Sequence, residues 1–541
     1  MKQALLLALL TLPALTLEAQ TKAACAVQSD SPSEADRALA DNKFDDAHRL
    51  YSAQPPSSET TAGIVRALLG QRKLDEALAL IQKEAAAHPA DAVLLDALGE
   101  VRYRRGEVLE AANIYNQSLS IDPCSARTRY DVYRFKRLYG ELASAQKALN
   151  SAHQLAPNDP IIQRAWNISQ SVPLTPDQQI ASLKDRIANG KLTREQVADT
   201  ENEIKAIQAN QSTSCELVNH AESAKIPLYL SNPYGVDLTP SRSGIDLSLN
   251  GKKRRFLVDT GASGINISSN AVKALGLTPE ANTYAYGIGD SGYRTGFIAH
   301  IAELKIGNLE FHNCKINVFQ SKPGISEDEF DGGLVGADVF SNFIVTLDFP
   351  GRELRLSPLP KRPGDTQTTL ALQTAGQETE EDSDGGPLSI AQRARDRFIA
   401  PEMAKWTKFY RYGHDIILPT SIGKAPSKLF IVDTGAASTL ISPEAASEVT
   451  HVGGADSSMN LHGISGEVRG VRGTDDLIIA FAGVSQKQSG GLTSIDTSRF
   501  SQGSGVEISG FIGFPALSEL VIQIDYRDNL ANFLYTPHVH R

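Results

Sequence analysis

The rhythm of apolar and polar positions changes once along this chain, near residue 223. Before it, stretches such as "KLDEALALIQ", "EVLEAANIYN" and "ELASAQKALN" read as helices, whereas after it short strand-like runs alternate with Gly-rich turns. The pattern predicts an all-α half followed by an all-β half. The first half is also periodic: Pro55, Pro89, Pro123 and Pro157 stand 34 residues apart, and so do Ala77, Ala111 and Ala145. The small residues fall where a second helix must approach its first closely. Gly70, Gly106 and Gly140 mark the turn between paired helices, and each proline closes a second helix.

Over residues 33–170 this period resembles the tetratricopeptide repeat family, with "KFDDAHRLYSAQP" as a shortened first unit of the kind that caps an array. The resemblance implies an all-α solenoid whose concave surface binds a protein or peptide. An unrelated helical bundle is the alternative. Residues 175–222 are helix-like in composition and read as a helical connector to the second half.

The second half contains one stretch twice. "FLVDTGASG" fills residues 256–264 and "FIVDTGAAS" fills 430–438, so Asp259 and Asp433 lie 174 apart. Gly287 and Gly463 lie 176 apart; Gly336 and Gly513, and Asp348 and Asp525, lie 177 apart. A drift of three residues over the whole unit identifies a duplicated β lobe. Apolar strands carry each aspartate to a turn, and Gly261 and Gly435 are expected to supply that turn's backbone angles. Two carboxylates within hydrogen-bonding range cannot both ionise cheaply; they share a proton and hold a water, one as general base and the other as general acid.

Residues 223–358 and 406–541 resemble the two lobes of a retropepsin-like aspartic peptidase, here joined in one chain. The resemblance implies an all-β bilobal fold in which Asp259 and Asp433 are catalytic. It implies that Thr260, Gly261, Thr434 and Gly435 brace the two loops, and that Leu334-Val335-Gly336 and Phe511-Ile512-Gly513 form a later turn in each lobe. It also implies flap hairpins over an extended peptide, formed by Tyr286, Gly287, Ile288 and Gly289 in one lobe and His462, Gly463 and Ile464 in the other. Ala262 and Ala436 offer no hydroxyl to the carboxylates, so activity is expected to extend to weakly acidic pH. Residues 359–405, including "RPGDTQTTLALQTAGQETEEDSDGGP", read as a flexible acidic linker between the lobes.

The 541 residues exceed one core, and 41% hydrophobic with 21% charged residues is an ordinary globular balance. A net charge of −10 argues against nucleic acid as a partner. "KKRR" at 252–255 reads as the solvated return of a hairpin turning at Asn250-Gly251. His300, His312, His538 and His540 lack metal-ligand spacing, and no cofactor is expected. Lys2 and the apolar run Ala4–Leu17 read as a signal peptide over residues 1–19, predicting an exported protein, periplasmic or secreted, with no transmembrane segment. Cys25 weakly resembles a lipid-anchoring site. Four scattered cysteines leave disulfide pairing unreadable. The combined expectation is an exported aspartic endopeptidase acting on protein or peptide, with an array that recruits substrate or a protein partner. The alternative is a non-catalytic binding or scaffold protein with idle lobes.

Overall fold

A computed structural model of the chain describes residues 25–28, 31–211, 215–219, 221–231, 240–285, 287–290, 292, 294–319, 329–363, 389–456, 459, 461–463 and 465–536. The expected signal peptide lies outside them. Among the described residues no helix is long and apolar enough to cross a membrane. An all-helical region comes first and a β-rich region follows.

The helices form antiparallel pairs with a strict period. First helices span Ser58–Gly70, Ala92–Arg104 and Ala126–Leu138, and their partners span Leu74–Ala87, Val108–Ile121 and Leu142–Leu155. Ser57, Asp91, Ser125 and Asp159 each accept a backbone N–H in the first turn of the helix that follows. Ala77, Ala111 and Ala145 are buried where the paired helices meet. Arg66, Glu100 and Arg134 occupy the same place on successive first helices, and Glu100 accepts from both arginines, at 3.0 and 3.2 Å. Asp96 and Asp131 complete this ladder, pairing with Arg66 and Arg134 at 2.9 Å. The region also closes on itself: Arg164 donates to the carbonyl of Ala40 across 124 residues, and a disulfide joins Cys25 to Cys124. The charges of this ladder are buried between successive first helices.

A second face of the helical region is docked on lobe two. Tyr103, Val108, Ala111 and Tyr115 share one apolar cluster with Tyr410, Ile417, Leu429 and Ile508. Within the contact, Lys428 Nζ lies 2.8 Å from Glu107 Oε1 and 2.9 Å from Glu448 Oε1, with only 4% of the lysine side chain exposed. The amide of Glu507 donates to the carbonyl of Arg104, and a Cβ at Gly106 would come within 2.5 Å of the Glu507 carbonyl oxygen. Helix Arg194–Gln211 leans on lobe one, where Asn202 and Asn282 exchange hydrogen bonds.

Each lobe carries its Asp-Thr-Gly strand between two neighbours. Lys252–Asp259 has Arg242–Leu249 antiparallel on one side and Gly333–Gly336 parallel on the other. Lys428–Asp433 has Asp415–Ile422 and Ile508–Gly513 in the same places. A six-stranded sheet joins the lobes through Phe343–Asp348 and Leu520–Asp525. Ile344 pairs with Asp525 and Asp348 with Val521, while Thr346 faces Gln523, its own counterpart in the duplication. The register places the pseudo-twofold axis of the duplicated unit at that pair. A disulfide, Cys215–Cys314, fastens the entry of lobe one to its strand Leu309–Phe319.

The linker differs from expectation over residues 389–405. Ala400 and Met403 are buried with Ile344 and Leu530, Ser144 bonds Asp396 through backbone and side chain, and Arg397 lies 4.6 Å over the ring of Tyr139. This stretch is an ordered strap between the helices and the inter-lobe sheet, because its apolar residues find a groove that composition alone does not show. The acidic run at 378–384 lies outside the described residues.

Candidate active site

Val258 and Val432 are buried strand residues, and each delivers its following aspartate to the end of a strand beside a glycine: Asp259 pairs with Gly336 and Asp433 with Gly513. The two loops then lock onto each other. Thr260 N–H donates to Thr434 Oγ1 and Thr434 N–H to Thr260 Oγ1, both at 3.0 Å. Thr260 Oγ1 donates to the carbonyl of Val432 at 2.6 Å, and Thr434 Oγ1 to that of Val258 at 2.9 Å. All four bonds cross between lobes and are buried. They hold the two carboxylates within hydrogen-bonding distance of each other.

Gly261 and Gly435 serve a purpose other than the one expected. Neither has a positive φ. A Cβ at Gly435 would stand 2.4 Å from the Asp259 carboxyl, and one at Gly261 2.9 Å from the Asp433 Cγ. Glycine is required by close approach across the axis, and each also donates its N–H to its own lobe's aspartate, at 2.8 and 2.9 Å. Ala436 N–H adds a third bond, to Asp433 at 3.0 Å.

Burial, together with the neighbouring Asp433 charge, holds the Asp259 carboxyl well above the usual carboxylate range. Burial raises Asp433 as well, opposed by its hydrogen bonds from Asp259, Gly435 and Ala436. A proton held between the two carboxyls belongs to the pair and to neither residue alone.

The carboxylates open into a cleft of about 1460 Å³ between the lobes. Over it, the hairpin Ala281–Ala285/Arg294–Ile306 meets the hairpin Leu461–Gly463/Gly466–Val468. Ser465 N–H donates to the Ile288 carbonyl at 2.9 Å, Gly287 N–H to Ser465 Oγ at 3.1 Å, and Asp290 N–H to the Glu467 carbonyl at 3.0 Å. Arg499 donates to the carbonyl of Gly289. Gly287, Ile288, His462 and Gly463 line the cleft, whereas Gly289 packs on the backbone of Ser465 and Gly466. Tyr286 and Ile464 lie outside the described residues.

Sequence reasoning missed His414 and Asp415. His414 Nε2 lies 3.1 Å from the Gly261 carbonyl, touching the loop of the opposite lobe, and 3.4 Å from Asp415. Burial pushes the Asp415 carboxyl up to about 6, against the pull of His414. Both residues line the cleft. They belong to no motif, since Asp415 opens a strand that only the fold brings beside the dyad. Extending the internal alignment back past the Asp-Thr-Gly strands would have reached them.

Residues 245–342 match a protein family described as "gag-polyprotein putative aspartyl protease". No curated protein sequence matches the chain. Among solved structures, the aspartic proteinase from Irpex lacteus aligns at 13% identity and a TM-score of 0.31, over 59% of this chain and 98% of that one. Lobe one is thus similar to the aspartyl proteases, in the part of the chain that carries Asp259 and its loop.

Proposed function

We propose that this chain is an aspartic endopeptidase that hydrolyses peptide bonds with a water activated between Asp259 and Asp433. The observation that carries the reading is the pair itself: two buried carboxylates, held together by four inter-lobe threonine hydrogen bonds, at the floor of a cleft roofed by two hairpins. With one proton between them, the ionised carboxylate takes a proton from the water as it attacks the scissile carbonyl. The protonated one donates to the developing oxyanion, and the proton then passes to the leaving amine. The roof excludes bulk water and fits an extended peptide. An idle lobe would be free to lose the glycines that touch the opposite carboxylate; both are present.

The 34-residue helix period supports a tetratricopeptide-type array, and the apolar cluster it shares with lobe two gives it a scaffolding part beside any recruitment of substrate or partner. Pairing of all four cysteines favours an oxidising compartment and so an exported protein. The direct test is hydrolysis of an unfolded protein such as casein, blocked by a pepstatin-type or retroviral-type inhibitor. A pure, folded chain that cleaves no protein or peptide at any pH from acidic to neutral would refute the reading.

A further inference from the structure

The two lobes repeat around the dyad, yet at one pair of equivalent cleft positions they carry opposite charges. Gly244 pairs with Leu257 and Ile417 with Ile431, and Leu257 and Ile431 each stand two residues before their catalytic aspartate. Counting two residues back from Gly244 and from Ile417 gives Arg242 and Asp415, each the first residue of its strand. Both line the cleft. The alignment of the whole unit tolerates shifts of a few residues, but here the pairing within each lobe fixes the equivalence.

Symmetry decides where these charges act. The axis passes between Asp259 and Asp433, so twofold-related positions lie on opposite sides of the bond that the dyad attacks. The Asp415 end crosses to the other lobe, as the contact of His414 with the Gly261 carbonyl shows. Arg242 holds the twofold-equivalent position in lobe one. Arg242 is held in the wall and engaged within the protein, and a guanidinium keeps its charge at any pH the enzyme meets. Asp415 has His414 at 3.4 Å, and the like charges of Asp433 and Asp338 bear on it, so a cation there is welcome. Lys315 and Arg499, one from each lobe, also line the cleft, so the difference between its two ends rests on Arg242 and Asp415.

Resting on the endopeptidase reading, we propose that the cleft is charge-polarised: it selects extended peptides with an acidic side chain on the Arg242 side of the scissile bond and a basic one on the Asp415 side. A peptide lying in the opposite charge order would set like charges together at both ends, and such mismatches discriminate more strongly than matches attract.

The test uses the full chain and paired peptides of one composition, with Glu and Lys exchanged across a fixed apolar centre, at pH 6.5. One order should be cleaved at least about tenfold faster in kcat/KM than the other, a ratio typical of close charge pairs at an interface. Binding is read in parallel with peptides whose central amide is reduced to a non-hydrolysable CH2–NH, and the same order should bind more tightly. Arg242→Gln should erase the preference for the acid and keep that for the base; Asp415→Asn should do the converse. Equal cleavage and equal binding of both orders by the native chain would overturn the polarised cleft while leaving the peptidase intact. No cleavage with a preserved binding preference would overturn the peptidase and leave the polarity standing. A preference that survives both substitutions unchanged would move it to other residues and overturn the assignment.

Discussion

Thr434→Val tests the lock between the lobes with little change of shape. The hydroxyl it removes donates to the Val258 carbonyl at 2.9 Å and accepts from the Thr260 N–H at 3.0 Å, and both threonines are essentially unexposed. Two buried backbone groups of lobe one are then left without partners. Each orphaned group costs about 1–3 kcal/mol, so the variant should lose about 2–6 kcal/mol of stability. Thr260→Val strips the Val432 carbonyl and the Thr434 N–H in the same way and should cost as much. Activity should fall further than stability alone requires: a displacement of ~1 Å between catalytic groups can cost ~100-fold. Urea unfolding followed by tryptophan fluorescence measures the first effect, and kcat on a short peptide at saturating substrate measures the second. A loss below about 0.5 kcal/mol, the range of neutral surface changes, together with an unaltered kcat would show that the crossed threonines do not hold the dyad.

Asp259→Asn and Asp433→Asn should each abolish proteolysis in a folded protein, and mixing the two inactive variants should restore nothing, since both lobes of one chain share a sheet; recovered activity would demand assembly between chains. Burial raises both carboxylates, and the neighbouring Asp433 charge raises Asp259 further, so a proton on the pair persists as pH rises and activity should extend to weakly acidic pH. A profile confined to strongly acidic conditions in a still-folded enzyme would contradict this. Asp525 is unexposed and raised to about 6 by burial and the Asp528 charge; a raised acid stabilises below its unfolded pKa, and that contribution is lost as pH climbs through about 6. Asp525→Asn should therefore flatten the stability difference between pH 4 and pH 7 by up to about 3 kcal/mol, and an unchanged slope in thermal unfolding would refute it. Removing residues 1–174 should yield an aggregating or unfolded product, because Lys428 and the apolar face around Tyr410 would lose their cover; a soluble, active fragment on size exclusion would show the helices to be dispensable.

The aspartates, their loops and the hairpin tips were legible because duplication repeats them in sequence, and the helical half was legible because 34-residue spacing fixes where helices begin. What could not be read depends on contacts between distant segments. Lys428 looks like one more strand-end cation until Glu107 meets it from 321 residues away. Gly435 looks like a turn glycine until the Asp259 carboxyl occupies the space of its missing Cβ. Cys25–Cys124 and Cys215–Cys314 could not be chosen among the possible pairings without the fold. The strap at 389–405 hides behind the acidic run at 378–384 that dominates the composition of the linker as a whole. The Arg66–Glu100–Arg134 ladder was likewise hidden, because it is a tertiary arrangement of residues that each look solvated in sequence.

Open helical solenoids unfold piecemeal, fraying from whichever terminal unit is weakest, because each unit touches only its neighbours. Here helix Glu34–Ala40 touches helix Pro160–Gln170, a disulfide ties Cys25 to Cys124, and lobe two packs along one side, so both ends of the repeating helices are held. Unfolding of the helices then becomes one cooperative event with unfolding of the lobe that supplies Asp433. Proteolytic resistance of the helices and integrity of the active site are in that sense a single property, and a lesion in either half should register in both.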